Sequence, residues 1–269
     1  MVAHSSPDLC DDASVPTSPR RIEFETDVFS STGFTLLVDD VAQSHVDAAD
    51  ATRLFFEYVR RIGHVVDAMG LPGEPLRALH LGGGAMTLPR YIEATRPDSA
   101  QLVVEIDGEL ARIVRHRLPL PAGADIAVRV GDAASVVGEL AGGAPFDLVI
   151  VDLYDRLEAP AFVETAAFMG GCLELLADRG LLVVNVADAA GLARLRAQAR
   201  AIARADPSAE LLVAGDANVV SGAEEGNTVL VAAPRGMSGG LDERLAALGP
   251  HPAAVLEGDR LDFALWGAC

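Results

Sequence analysis

Apolar positions along this chain change period several times, and each change marks a new element. Two short extended runs, Arg21–Val28 and Phe34–Val38, flank Ser30-Ser31-Thr32-Gly33, a pattern that predicts a β-hairpin with a Gly-containing loop. Asp39-Asp40 then makes a second turn before Val41-Ala42-Gln43. Over Asp50–Met69, Leu54, Tyr58, Ile62 and Val65 recur at helix spacing, with Phe55, Val59, Val66 and Met69 beside them. Asp50 or Thr52 can cap that helix, Gly70 and Pro72 close it, and the Phe55/Phe56 pair is assigned to the core.

From residue 76 onward, strand-like and helix-like stretches alternate. Strands are predicted at Leu76–Leu81, Gln101–Ile106, Ile126–Val130, Phe146–Val151 and Gly180–Val186. Helices are predicted at Met86–Thr95, Glu109–Leu118, Ala133–Leu140 and Ala161–Leu176. A further helix ends at Ala205, followed by strands near Leu211–Ala214 and at Asn227–Ala232. Such βαβα order implies a parallel sheet covered on both faces. The expected fold class is α/β, a Rossmann-like seven-stranded methyltransferase-type sheet whose last strand inserts antiparallel. Residues 21–48 form the N-terminal hairpin of this division and 49–269 the main domain, with a disordered tail over 1–20. Residues 235–269, with a helix at Leu241–Leu248 and an apolar run at Leu261–Trp266, are expected to cover a sheet edge or to meet a partner subunit, as in a homodimer.

Composition narrows the function classes. The formal net charge is −18 and all 21 basic residues are Arg. That balance opposes nucleic acid, whose phosphates it repels, and it tolerates or attracts small cationic molecules such as amines. Cys10, Cys172 and Cys269 lie far apart, and His45, His64, His80 and His116 are scattered without ligand spacing, so no metal is expected. Residues 1–20 lack the basic and apolar segments of a signal peptide, and no run approaches the roughly 18 apolar residues of a membrane span. A cytoplasmic protein with no membrane partner is the expectation.

The residues that carry chemistry fall at predicted strand ends. Gly82-Gly83-Gly84 follows the first strand of the main sheet, where ligands of open parallel sheets bind. Glycines there allow close backbone approach, and the following helix offers unsatisfied N–H groups. Glu105 ends the next strand, 21 residues after Gly84, where an acid can accept both hydroxyl protons of a ribose. Asp107 is read as the cap of the next helix. Asp132 can accept from an adenine amino group while the Ala133 N–H contacts the ring, or it can cap its own helix. Asp152 and Asp155 follow the fourth strand, three residues apart, and can converge on one ammonium group, orient it and take its proton. Tyr154 is a candidate wall of the same pocket.

In these features the chain resembles the spermidine synthase family. The similarity rests on Leu36-Leu37-Val38-Asp39-Asp40-Val41-Ala42-Gln43, Leu81-Gly82-Gly83-Gly84, Val104-Glu105-Ile106-Asp107, Gly131-Asp132-Ala133 and Asp152-x-x-Asp155, in order from about residue 20 to residue 190. Plain methyltransferases more often carry an acid just before their glycines, where this chain has His80 and Leu81. The resemblance implies aminopropyl transfer from decarboxylated S-adenosylmethionine to putrescine, with release of methylthioadenosine, in polyamine biosynthesis. It implies that Gln43 and Glu105 hold the nucleoside, Asp132 the adenine, and that Asp152 is the base for the attacking amine with Asp155 assisting.

Three departures bear on that expectation. The family's Asp after the glycine triplet, which binds the donor's ammonium, is Ala85 here, and losing a desolvated ion pair costs about 3–5 kcal/mol. The Ser-rich loop between the paired acids reads Leu153-Tyr154. A Gln or His of the first helix aligns with Glu57, which can either supply the lost negative charge or stand as an exposed helix acid. Two other readings therefore stand beside aminopropyl transfer: methyl transfer from intact S-adenosylmethionine, and nucleoside binding without catalysis.

Overall fold

The computed structural model describes residues 20–154, 158–237 and 239–267. The expected tail, apart from Arg20, lies outside the described residues, and so do Asp155, Cys10 and Cys269.

The segment expected as a hairpin is a three-stranded antiparallel sheet of β1 (Ile22–Thr26), β2 (Gly33–Val38) and β3 (Val41–Asp47). The third strand arises because Asp39 and Asp40 both take positive φ, 50° and 66°, and close a two-residue turn that pairs Val38 with Val41. Aspartate tolerates this left-handed region better than most residues. A register shift pairs Leu36 with Ser44 but Leu37 with Ala42, so Gln43 is the extra residue of a β-bulge. The sheet seats on the main domain through Leu36, Val38 and Val46, which pack with Ala85, Leu110, Val114 and Leu118.

The first long helix, α1 (Glu57–Ala68), begins later than its periodicity suggested. Asp50 spends its side chain on the backbone N–H and hydroxyl of Thr52, a local turn that competes with helix formation. Phe55 consequently lies ahead of the helix and is 45% exposed rather than core, stacked on His45 at 4.7 Å.

Among the described residues the main sheet has eight strands, ordered β11-β9-β10-β8-β7-β4-β5-β6. They are β4 (Arg77–Leu81), β5 (Ala100–Glu105), β6 (Ile126–Val130), β7 (Phe146–Val151), β8 (Leu176–Asp188), β9 (Glu210–Asp216), β10 (Gly226–Ala233) and β11 (Ala253–Glu257). Strands β4 to β8 pair in parallel, and β10 joins β8 antiparallel, as expected of the last strand of such a sheet. Strand β11 is the addition: it extends residues 235–267 onto β9, antiparallel, through a short Ala-rich segment with no alternating signal.

Helices cover both faces. One core contains residues of α4 (Ala133–Leu140), α5 (Ala166–Glu174), α6 (Ala193–Ala205) and α9 (Gly258–Trp266). The other contains residues of α1, α2 (Thr87–Thr95) and α8 (Leu241–Leu248). The helix predicted over Ala161–Leu176 is broken at Thr165, whose hydroxyl caps α5. Asp107 caps α3 (Gly108–Arg117) by accepting from the N–H groups of Glu109 and Leu110. Two buried arginines of α2 and its end tie neighbouring helix ends together. Arg96 donates to the carbonyls of Val66, Met69, Leu71 and Glu74 around the end of α1, and Arg90 to those of Ala85, Leu118 and Pro119.

Candidate active site

Strand order reverses at β4, which lies between β5 and β7, and the glycine triplet follows β4 at this point. Hydrogen bonds from Gly82 N–H to Val104 O (2.9 Å) and from Asp152 N–H to Leu81 O (2.8 Å) bring the three strand ends side by side. Gly82 has φ +102°, and a Cβ placed there would stand 2.0 Å from the carbonyl oxygen of Asp152. Only glycine fits that approach.

Glu105 is buried, and its carboxylate grips the glycine turn itself. One oxygen accepts from Gly83 N–H at 2.9 Å and Gly84 N–H at 3.3 Å; the other accepts from Asp107 N–H at 2.9 Å. Ile106 beside it is 68% exposed. Asp132 caps α4, accepting from the Ser135 N–H at 2.9 Å and hydroxyl at 3.0 Å, while the Ala133 side chain is buried in the core. The bulged Gln43 neighbours Ser44, whose hydroxyl bonds Thr87 at 3.0 Å and would meet a Cβ on Gly84 at 3.3 Å. The small sheet thus overhangs the glycine turn.

Asp152 shares a sheet face with Leu148 and Ile150, beneath α1. Its carboxylate accepts from Tyr58 Oη at 3.3 Å and from Asn185 Nδ2 at 2.7 Å. Burial pushes its pKa up, and these two hydrogen bonds oppose the rise. The Tyr58 hydroxyl is pushed far above its usual value, first by burial and then by the Asp152 charge. The Tyr154 hydroxyl donates to Asn185 O at 2.9 Å and accepts from Ala187 N–H at 2.5 Å, tying this side chain to β8.

Glu57 is exposed at the start of α1 and pairs with Arg61 at 3.2 Å, while its neighbour Tyr58 reaches Asp152. Ala85 is fully buried among the apolar residues beneath the small sheet, so the position offers no charge. Asp155 lies outside the described residues.

Tyr58, Asn185 and Asn227 were not singled out from the sequence. A signal existed for one of them: Asn185 interrupts the apolar run Leu181–Val186, and a polar residue inside a buried strand needs a partner. Cavities of about 480 Å³ beside α3 and β6 and about 650 Å³ beneath α9 are not lined by the glycine turn, Glu105 or Asp152. Among the described residues, no group of three or more His, Cys, Asp or Glu side chains is placed to hold a metal ion. No described helix is long and apolar enough to cross a membrane.

No family model matches the chain. A polyamine aminopropyltransferase of Chromobacterium violaceum is 27% identical over 153 residues, 55% of this chain and 56% of that protein. Another, of Vibrio vulnificus, is 26% identical over 168 residues, 61% of this chain and 54% of that one. The matched stretch spans about half the length of each of these curated relatives. Among solved structures, a probable spermidine synthase from Corynebacterium glutamicum superposes with a TM-score of 0.80 at 27% identity, covering 94% of this chain and 95% of that one. Human methyltransferase-like protein 13, solved with SAH, shares the fold alone, with a TM-score of 0.53 at 16% identity over 71% of this chain and 86% of its own. In sequence and in fold, this chain is similar to polyamine aminopropyltransferases and to a probable spermidine synthase, and its α/β sheet is of the methyltransferase type.

Proposed function

We propose that this protein is a transferase that binds an S-adenosylmethionine-type donor over Gly82–Gly84 and transfers an aminopropyl group from the decarboxylated form to a small diamine such as putrescine. The observation that carries the reading is the contact between the Asp152 backbone and Gly82, which puts a partly buried carboxylate beside the glycine turn at the switch point. Glu105 has acceptor capacity left beyond its three backbone bonds, enough for a ribose hydroxyl. Exposed Ile106 offers an apolar face to adenine, Asp132 and Ala133 lie at the end of the neighbouring strand, and Gln43 overhangs from the small sheet.

In the reaction, Asp152 aligns the acceptor nitrogen, with Asp155 assisting in our reading. The nitrogen lone pair forms the new bond to the aminopropyl carbon as the carbon–sulfur bond breaks. That bonding pair returns to sulfur, which leaves as the neutral thioether methylthioadenosine, and Asp152 takes the nitrogen's proton. A sulfonium is already an activated leaving group, so alignment supplies most of what the protein must add. The raised pKa of Asp152 makes it a better proton acceptor than an exposed aspartate. Support for the class comes from the names of the relatives, polyamine aminopropyltransferase and probable spermidine synthase. A spermidine synthase solved with the transition-state analogue AdoDATO shares the fold at 16% identity and a TM-score of 0.59.

One observation favours a second reading. With Ala85 buried in an apolar cluster, a donor bearing a lone ammonium lacks its partner, whereas the zwitterionic end of intact S-adenosylmethionine carries no net charge and loses less. Methyl transfer to an amine would follow. The deciding experiment offers each donor to the purified protein and reads both thermal shift and product. A donor at 100 times its Kd stabilises by about 2.7 kcal/mol. Preference for the decarboxylated donor with methylthioadenosine formed supports the proposal; S-adenosylhomocysteine formed from the intact donor replaces it with methyl transfer. In Asp152→Asn we expect turnover to fall about 10²–10⁴-fold with donor binding kept, and unchanged turnover removes Asp152 from the mechanism.

A further inference from the structure

Behind Asp152 runs a chain of side-chain amides that the reaction above does not use. Asn185 on β8 donates through Nδ2 to Asp152 at 2.7 Å, and its Oδ1 accepts from Asn227 Nδ2, on β10, at 2.9 Å. Both asparagines lie on the sheet face that α1 covers, the face shared by Val183 and Val229, and Asn185 is 4% exposed. An amide has one donating and one accepting end, so the pair can satisfy itself in only one sense once either end is fixed. An ionised carboxylate accepts and cannot donate. With Asp152 ionised, Asn185 must therefore turn its NH₂ forward and its oxygen back, and Asn227 meets that oxygen with a donor.

We propose that Asn185, held in orientation by Asn227, is the positioning residue that keeps the Asp152 carboxylate ionised and aimed at the acceptor amine. It deepens, and rests on, the reading of Asp152 as the base. A buried amide (Asn185) and a half-buried one (Asn227) on a largely apolar face cost free energy unless paired, and among the described residues they pair with each other and with Asp152. Among the described residues, the ionisable groups that act on Asp152 and its neighbours are hydroxyls, Tyr58 from α1 and Tyr154, with Asp188 and Arg194 next around Tyr154. Among the described residues, Asn185 supplies the shortest hydrogen bond that Asp152 accepts.

The test needs no turnover. In full-length protein labelled with carbon-13 aspartate, the Asp152 carboxyl signal is assigned by its loss in Asp152→Asn and followed against pH in wild type, Asn185→Leu and Asn227→Leu. Removing the Asn185 donor should raise the Asp152 midpoint by about 1 pH unit or more, because a hydrogen bond to the charged form is lost. Asn227→Leu should raise it by less, since the donor stays but its orientation is freed. The ascending limb of the kcat/KM profile should move to higher pH in the same order. A midpoint unmoved in folded Asn185→Leu and Asn227→Leu overturns the proposal; should Asn185→Leu fail to fold, Asn227→Leu alone decides. A moved midpoint in a protein without transferase activity supports the amide chain and retires the reading of Asp152 as base. An unmoved midpoint in an active enzyme retires the amide chain alone.

Discussion

Replacing Gly82 by alanine probes the contact on which the site depends. Two costs add at this position. A non-glycine residue at φ +102° is strained by about 1–2 kcal/mol. The new Cβ would lie 2.0 Å from the Asp152 carbonyl oxygen and 2.9 Å from its carbon, both backbone atoms of a central strand end, and such overpacking costs typically about 1–3 kcal/mol. Together they predict a loss of about 2–5 kcal/mol, or roughly 4–20 °C in Tm for a domain of this size. Gly73→Ala is the matched control: its φ is +78° and nothing lies within 4 Å of the new Cβ, so it reports strain without contact. Reduced unfolded-state entropy offsets part of the strain in both variants. Urea denaturation of the two, side by side, should therefore leave Gly82→Ala lower by the contact cost, about 1–3 kcal/mol. Equal stability of the two variants would mean that Asp152 does not lie against the glycine turn. The coupling of nucleoside edge to carboxylate would then be wrong.

Burial lowers the pKa of His80 from 6.5 to about 4, opposed by its hydrogen bond to Gln101. The unfolded chain takes up that proton first, so stability is present above pH 6.5 and about 3 kcal/mol of it is lost as pH falls through 4. Comparing denaturation of wild type and His80→Gln between those pH values checks it; equal pH dependence of the two refutes it. Arg96→Met leaves the carbonyls of Val66, Met69, Leu71 and Glu74 without their shared donor and should cost about 3 kcal/mol or more in urea denaturation. A loss below about 1 kcal/mol would show that water replaces the guanidinium there.

The chain by itself determined what depends on neighbours in sequence. Periodicity separated strands from helices from residue 76 to residue 233, because one buried face repeats every two residues in a strand and every 3.6 in a helix. Glycines at the end of β4, and acids at or just past the ends of β5, β6 and β7, could be placed on one edge, because parallel strands share a direction and hence a common end. Capping by Asp107 was equally legible, since a cap is satisfied within three residues.

Tertiary structure decided the rest. The hydroxyl on Asp152 comes from Tyr58, 94 residues away, while Glu57, one position earlier, is exposed; a helix turns its side chains by about 100° per residue, so only its docking angle selects which of the two faces the sheet. Whether Ala85 faces a ligand or a core was settled by where the small sheet lands, and strand β11 became a strand only because β9 presented an edge to it. The Asn185–Asn227 pair joins residues 42 apart. Such contacts form where elements meet, and no spacing along the chain encodes the meeting.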